Sequence, residues 1–311
     1  MEFIRGIHNI RPKHKGCVLT IGNFDGVHLG HRQVLQQLVK KSKQLGLPSV
    51  VMTFDPQPME LFAKGDAPAR LTRLRDKALQ LDKLDVDRLL CVNFNHKFAS
   101  MSAEAFVRDL LVNQLGVKFL VVGDDFCFGK GRTGNFAMLQ QAGQKYGFEV
   151  VNTKSFCVQQ ERVSSTAIRD ALARDELSSA EDMLGRQYSI TGRVFHGRKL
   201  GRTIGFPTAN IPLKRVVSPV SGVYVVEALD SKGQRIQGVA NIGHRPTVKG
   251  ERQQLEVHLF DFSANLYGQT LEVFLLHKLR DEKKFESFEA LKQQIELDAE
   301  AARVWLLRLK R

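Results

Sequence analysis

Cysteine, tryptophan and tyrosine are scarce in this chain, and long apolar runs are missing. The four cysteines, Cys17, Cys91, Cys127 and Cys157, are scattered and form no CxxC pair. A zinc ribbon or a disulfide framework therefore has no support, and a reducing compartment fits. No stretch approaches the ~18 apolar residues that span a bilayer. Residues 1–15 alternate charged and apolar character without the continuous apolar core of a signal peptide. A cytoplasmic protein with no membrane partner is expected. With one Trp and four Tyr in the chain, the second half lacks an aromatic-studded face for stacking bases, which speaks against nucleic acid as a partner. A Walker A string is missing as well: GRVFHGRK from Gly192 has the glycine spacing but lacks the Lys-Ser/Thr ending.

What is present describes an ordinary soluble protein. A length of 311 residues with 43% hydrophobic and 25% charged residues favours two cores folded by burial. Lys and Arg outnumber Asp and Glu by 46 to 33, a formal charge of +13. That surplus attracts polyanions, nucleotide phosphates and nucleic acids alike, and does not choose between them.

From Gly16 to about Thr153, short β-rich runs (CVLTIGNF, SVVMTF, RLLCVNF, KFLVVGDDF, FEVVNT) alternate with longer helical ones. That alternation predicts right-handed βαβ crossovers and a doubly wound parallel sheet. Two short helices follow over 164–184, and composition changes after Gly185, so the domains are expected at 1–184 and 185–311. The second half carries YSITGRVF, GVYVVEAL, RIQGVANIG, QLEVHLF and TLEVFLLHKL, each bounded by turn residues, which predicts an antiparallel barrel. A helix from about Phe285 to Leu309, with Phe288, Leu291, Ile295 and Trp305 at helical spacing, is expected to pack on it.

Two segments carry chemistry. GNFDGVHLGH, Gly22 to His31, ends the first strand and enters a helix, the position where open α/β sheets bind ligands. His28 and His31 flank Gly30 near a helix N-terminus that favours phosphate. Such donors stabilise the charge that grows when an incoming phosphate displaces pyrophosphate. A zinc pair and two structural histidines are the alternatives; further ligands for zinc are missing from the surroundings. In VSSTAIRD, Ser164, Ser165 and Thr166 precede Arg169; helix capping explains the hydroxyls, and a second phosphate-holding helix start with a guanidinium clamp explains the whole string. GKGRTG, Gly129 to Gly134, has GxGxxG spacing but follows the fourth counted strand, so a glycine-rich loop over phosphates is expected in place of a dinucleotide fingerprint. In the second half, GRTIGFPTAN brings Gly201 and Gly205 for close backbone approach, Arg202 for charge, and Pro207 to stiffen the turn presenting Thr208 and Asn210. Oxygen donors of this kind suit Mg²⁺.

Together with GDDFCFG at Gly123–Gly129 and with GVY, NIGHRPT and LEVHLFDF in the second half, these strings resemble bacterial bifunctional riboflavin kinase/FAD synthetases across nearly the whole chain and in the same order. The resemblance implies a Rossmann-like HxGH nucleotidyltransferase domain followed by a riboflavin-kinase β-barrel with a C-terminal helix. It implies ATP, riboflavin, FMN and FAD as substrates and products, with Mg²⁺, and no nucleic-acid partner. His28 and His31 would handle the ATP phosphates, with Arg169 beside them. Gly22, Asn23, Phe24, Ser164, Ser165 and Thr166 would belong to the nucleotide and flavin site, with Asp125 and Phe126 near ATP and FMN. Thr208 and Asn210 would hold Mg²⁺ and phosphates, and Glu256 would be the general base for the ribityl hydroxyl. Cys127 departs from the Arg common in the family, so that phosphate contact is missing or supplied by Arg132. A monomer or weak homo-oligomer is expected. Two rivals are a class I aminoacyl-tRNA synthetase fragment, whose Lys-Ser-Lys loop would have to be the misplaced KKSKQ at Lys40, and a pantetheine-phosphate or cytidylyl transferase. GFPTAN argues against the second.

Overall fold

The first half owes its fold to strands apolar on both faces. In a computed structural model of the chain, which describes residues 1–63, 66–123, 125–153, 156–158, 161–196, 205–213, 217–247 and 250–309, two compact units emerge. One comprises Met1–Pro68 and Thr72–Ser165, the other Ala69–Leu71 and Thr166–Arg311.

In the first unit, β1 (Glu2–Arg5), β2 (Cys17–Ile21), β3 (Ser49–Phe54), β4 (Arg88–Val92), β5 (Val117–Gly123) and β6 (Glu149–Thr153) form one parallel sheet of order β1-β4-β3-β2-β5-β6. β2 is buried at every residue, as a parallel strand covered on both faces must be. Successive side chains feed opposite cores. Leu19, Ile21, Met52 and Leu120 pack with Phe106, Leu110 and Leu139, while Val18, Val51, Leu89 and Val121 pack with Leu35, Leu38 and Leu81. The covering helices are α1 (Leu29–Leu45), α2 (Pro58–Phe62), α3 (Leu74–Asp82), α4 (His96–Ala99), α5 (Ala103–Ala105, continuing as a π-helical stretch over Phe106–Gln114) and α6 (Phe136–Tyr146). α1 buries Leu35, Leu38, Val39 and Ser42 and stops at Gly46, whose φ of 62° suits glycine. Strand order reverses between β2 and β5, so the crevice beside their carboxyl ends is the sheet's switch point.

Two elements differ from expectation. β1 is a sixth strand at the sheet edge; only Ile4 of its four residues is buried, so it carries almost no periodic signal. β7 (Cys157–Val158) and β8 (Glu161–Arg162) pair antiparallel, each too short for any pattern.

The second unit contains α7 (Ser165–Ala173) from Thr166 on and α8 (Leu177–Leu184). Next come β9 (Ser189–Arg193), β10 (Ala209–Pro212), β11 (Gly222–Leu229), β12 (Arg235–Thr247), β13 (Gly250–Leu259) and β14 (Thr270–Arg280), antiparallel in the order β10-β13-β12-β11-β14-β9. The barrel closes where Phe195 N–H donates to the Asn210 carbonyl at 2.9 Å. The end of GFPTAN is therefore strand, because Ala209 and Ile211 are buried. Asp175 ties the segment between α7 and α8 to the barrel, accepting from the Tyr224 hydroxyl at 3.1 Å and from Lys278 Nζ at 2.6 Å. Burial raises the Tyr224 phenol above its ordinary pKa, and the Asp175 carboxylate adds to the shift.

Along β11, Val223 and Val225 face the C-terminal helix α9 (Phe288–Leu309). The contact stripe of α9 differs from expectation. Phe288 is 50% exposed, while Ala299, Ala302 and Leu306 are buried with Trp305 beside them. Small residues let the helix axis approach the barrel, which a search for large apolar side chains overlooks. A bidentate pair locks the same face: Arg280 Nε reaches Asp298 Oδ1 at 2.9 Å and Nη2 reaches Oδ2 at 2.7 Å, with Gln294 donating to Oδ1 at 2.9 Å. Asp298→Ala strands a mostly buried guanidinium and is expected to cost about 3 kcal/mol of stability. Urea unfolding followed through Trp305, the single tryptophan, checks this. Replacing both partners, Arg280→Met with Asp298→Leu, is expected to restore most of the loss.

Candidate active sites

The turn leaving β2 is built around buried polar groups. Asp25 is 1% exposed, and its Oδ1 accepts from Thr72 N at 3.0 Å and Thr72 Oγ1 at 3.2 Å; Gly26 N–H donates back to Thr72 Oγ1 at 3.0 Å. Lys77, 2% exposed, donates to the Asn23 carbonyl and, at 3.1 Å, to Thr53 Oγ1. Phe24 and Val27 take left-handed φ values of 46° and 43°, a strained path for such side chains. The path ends with His28 as N-cap of α1, its Nδ1 accepting the His31 N–H at 3.3 Å. An accepting Nδ1 puts the His28 proton on Nε2.

The His28 and His31 rings stack at 3.6 Å with an interplanar angle of 18°, and Phe24 lies 5.0 Å from His31. A Cβ on Gly30 would come within 3.3 Å of the His28 ring and 3.5 Å of Phe156 Cβ, so the HxGH spacing needs its glycine. His31 Nδ1 is buried without a hydrogen-bond partner. Burial, and after it the charges of His28 and Lys77, pull the His31 pKa well below 6.5. Near neutral pH its imidazole is uncharged.

The other predicted strings of the first unit have their own contacts. Ser165 Oγ donates to the Asp25 carbonyl at 2.9 Å, and Ser164 is half-buried. Phe126 follows β5 and stacks on Phe128 at 5.7 Å; Asp125 is exposed and accepts from Arg162 of β8 at 3.1 Å. Cys127 is half-buried. GKGRTG is a turn clasped by Phe128 N–H to Gly134 O at 3.0 Å and Gly134 N–H to Phe128 O at 2.9 Å; it carries Arg132, exposed, at φ 59°. In the second unit, Thr166 is exposed and Arg169 Nε donates to the Ala69 carbonyl.

Sequence reasoning missed a row of phenylalanines beyond the carboxyl ends of β3, β4 and β5. Phe54 lies 5.5 Å from Phe94, Phe94 5.8 Å from Phe98, Phe98 6.3 Å from Phe106 and Phe106 5.3 Å from Phe128. Phe62, 58% exposed, extends the row 6.0 Å from Phe94. The only signal was compositional, 20 Phe against four Tyr. Thr72 and Lys77 were missed too, inside a stretch read only as helical.

In the barrel, Thr208 and Asn210 line a cavity of about 640 Å³ with His196, Val257, Phe262 and Tyr267. His196 stacks on Tyr267 at 3.7 Å. Pro207 and Gly205 are exposed, Gly205 at φ 85°; the Pro207 carbonyl lies 3.0 Å from His258 Nδ1. Gly201 and Arg202 lie outside the described residues. Glu256 is half-buried on β13, directly opposite Asn210 on β10 and Asn241 on β12. Gln254, also missed, joins the two: its amide nitrogen donates to Asn210 Oδ1 and, at 3.3 Å, to Glu256 Oε1. Among the described residues no cluster of three His, Cys, Asp or Glu could hold a metal. The Thr208 hydroxyl and Asn210 amide are hard oxygen donors, and they fit an ion that takes its other ligands from phosphate and water, as Mg²⁺ does.

Known proteins match the two halves of the chain separately. A family model described as FAD synthetase matches residues 10–167, and one described as riboflavin kinase matches 184–306. The bifunctional riboflavin kinase/FMN adenylyltransferase of Escherichia coli (strain K12) is 56% identical over 304 residues, 97% of each chain. The protein of the same description from Haemophilus influenzae is 55% identical over 305 residues, 98% of this chain and 99% of its own. A crystal structure described as a macrolide-efflux protein from Streptococcus pneumoniae matches at a TM-score of 0.80 with 30% identity, covering 97% of this chain and 99% of its own. In the present chain no helix among the described residues is long and apolar enough to cross a membrane. With both family models matched in order and relatives more than half identical over nearly the full length, the chain belongs to the family of bifunctional riboflavin kinase/FMN adenylyltransferases.

Proposed function

We propose that this protein makes FAD from riboflavin in two ATP-dependent steps, the barrel phosphorylating riboflavin to FMN and the parallel-sheet half transferring AMP from ATP to FMN with release of pyrophosphate. We assign the second step to residues 1–184 and the first to 185–311; the two family models leave 168–183 between them. The observation that carries the reading is the stacked His28–His31 pair at the start of α1, beside the switch point of a parallel sheet, in a chain of this family.

At that turn, His28 Nε2–H, the neutral His31 and the first N–H groups of α1 bind and orient the triphosphate. Gly22, Asn23 and Phe24 shape the floor, while Ser164, Ser165, Thr166 and Arg169 supply further donors. Asp125, Phe126 and Arg132 border the nucleotide and flavin. The phenylalanine row gives the isoalloxazine ring an apolar, stacking surface. No covalent intermediate is needed: an FMN phosphate oxygen attacks the α-phosphorus, and the fixed donors stabilise the charge that develops.

In the barrel, Glu256 takes the proton from the ribityl 5′-hydroxyl as that oxygen attacks the γ-phosphate. Gly205 and Pro207 are assigned to the phosphates, and so, from the sequence, are Gly201 and Arg202. Thr208 and Asn210 would hold Mg²⁺, which when bound neutralises phosphate charge. Gln254 holds Asn210 and Glu256 in register. Both reactions are assigned to the cytoplasm, in a monomer or weak homo-oligomer with small-molecule partners and no nucleic acid.

Incubation with riboflavin, ATP and Mg²⁺ and separation of the flavins should give FMN followed by FAD; FAD formed only from added FMN would refute the kinase half. His28→Ala is expected to abolish FAD formation and leave FMN formation intact; loss of both would mean that the sites depend on each other. Glu256→Gln should slow FMN formation by roughly 10²- to 10⁴-fold while added FMN is still adenylylated. A wild-type kinase rate in that variant removes Glu256 from the chemistry. His31 also sets a pH dependence. Its folded pKa lies below 6.5, so between the two values the unfolded chain binds the extra proton. Stability present above about pH 6.5 is therefore lost as the pH falls, by up to about 1.4 kcal/mol per pH unit. Unfolding curves from about pH 7 to about pH 5 should show a steeper loss in wild type than in His31→Asn.

A further inference from the structure

Lys77 is a buried cation that touches the turn after β2 and lies outside the GNFDGVHLGH string. Lysines are almost never fully buried unless paired, because desolvating an ammonium is costly. Lys77 is 2% exposed and is held by more than one partner. Its Nζ donates to the Asn23 carbonyl and, at 3.1 Å, to Thr53 Oγ1, while Thr53 Oγ1 donates to the same Asn23 carbonyl at 3.1 Å. The three groups form a closed triangle joining α3, the end of β3 and the turn after β2. A neutral donor could hold that carbonyl at a smaller desolvation cost. What a neutral donor lacks is charge, and a charge under a mostly buried turn is weakly screened by water and salt.

We propose that Lys77 is a positioning residue of the adenylyl-transfer site: its buried ammonium fixes the Asn23 carbonyl and Thr53 hydroxyl beneath the turn that binds the triphosphate. This rests on the reading of that turn as the adenylyl-transfer site. The charge acts on the site through His31. The charged groups acting on that imidazole are His28 from its own turn and Lys77 from α3, and both disfavour its protonation. Burial is the main cause that keeps His31 neutral, and the Lys77 charge adds to it. Thr72, five residues earlier, holds Asp25 and Gly26 of the same turn, so one short segment clamps the turn at both ends.

The test uses the full-length protein, with FAD formation from FMN and ATP, riboflavin phosphorylation, and NMR titration of His31. Lys77→Met is expected to lower kcat/KM for FAD formation about 10²-fold, the cost typical of a displaced catalytic group. Its riboflavin kinase rate stays at the wild-type value and the His31 titration midpoint moves up. Lys77→Arg, which keeps the charge, should recover FAD formation to within about tenfold of wild type and return the midpoint. FAD formation by Lys77→Met within about twofold of wild type overturns the proposal, and so does a loss with the His31 midpoint unmoved. If Lys77→Met loses the kinase as well, Lys77→Arg decides: recovery supports the proposal and an equal loss of FAD formation overturns it. His28→Ala, run in parallel, separates the two layers, because an active His28→Ala sinks the site reading itself, whatever Lys77 does.

Discussion

The turn after β2 depends on satisfying one buried carboxylate and one buried ammonium within a few residues. Asp25 and Lys77 are both nearly inaccessible, and either charge left unpaired in that position would cost more than most single packing contacts contribute. Each has a backbone partner: Thr72 N–H donates to Asp25, and Lys77 donates to the Asn23 carbonyl. Backbone partners cannot rotate away. The strained φ values of Phe24 and Val27 are therefore held by surrounding bonds, and His28 arrives at the N-cap of α1 with its ring already stacked on His31.

The same constraint explains why much of the fold could be read in advance while the support of the site could not. Strands such as Cys17–Ile21, buried on both faces, appear as continuous apolar runs, and α1 announces its start and its Gly46 stop. The paired histidines stand out because two imidazoles around a glycine are rare in a strand-to-helix turn. Lys77 does not stand out: in sequence it is one more lysine in LRDKALQLD, and only tertiary packing buries it. Phe62, Phe94 and Phe98 converge from separate segments. Edge strand Glu2–Arg5 and the paired strands Cys157–Val158 and Glu161–Arg162 are too short to carry a period. On α9 the contact face is marked by Ala299 and Ala302, so small size, which carries little hydropathy signal, decides the packing.

The barrel solves a different problem with ladder geometry. Asn210, Glu256 and Asn241 lie side by side across β10, β13 and β12, and antiparallel partners share a face. A slip of one residue would turn Glu256 to the side now taken by Leu255 and Val257, whose complete burial fixes the register. The apolar interior thus positions the polar row. Gln254, two residues before Glu256 on the same face, then sets the spacing between carboxylate and amide.

The two proposed reactions place unequal demands on these groups, and the residues differ accordingly. An FMN phosphate is already largely ionised near neutral pH, with a second pKa of about 6, so its attack on ATP needs no base. A neutral His31 is no handicap there, since orientation and hydrogen bonding are what the step lacks. The ribityl hydroxyl of riboflavin keeps its proton at neutral pH and must lose it during attack, which calls for a carboxylate within reach. Placing the imidazoles on a helix start and the carboxylate on a strand assigns each step the group that its nucleophile lacks.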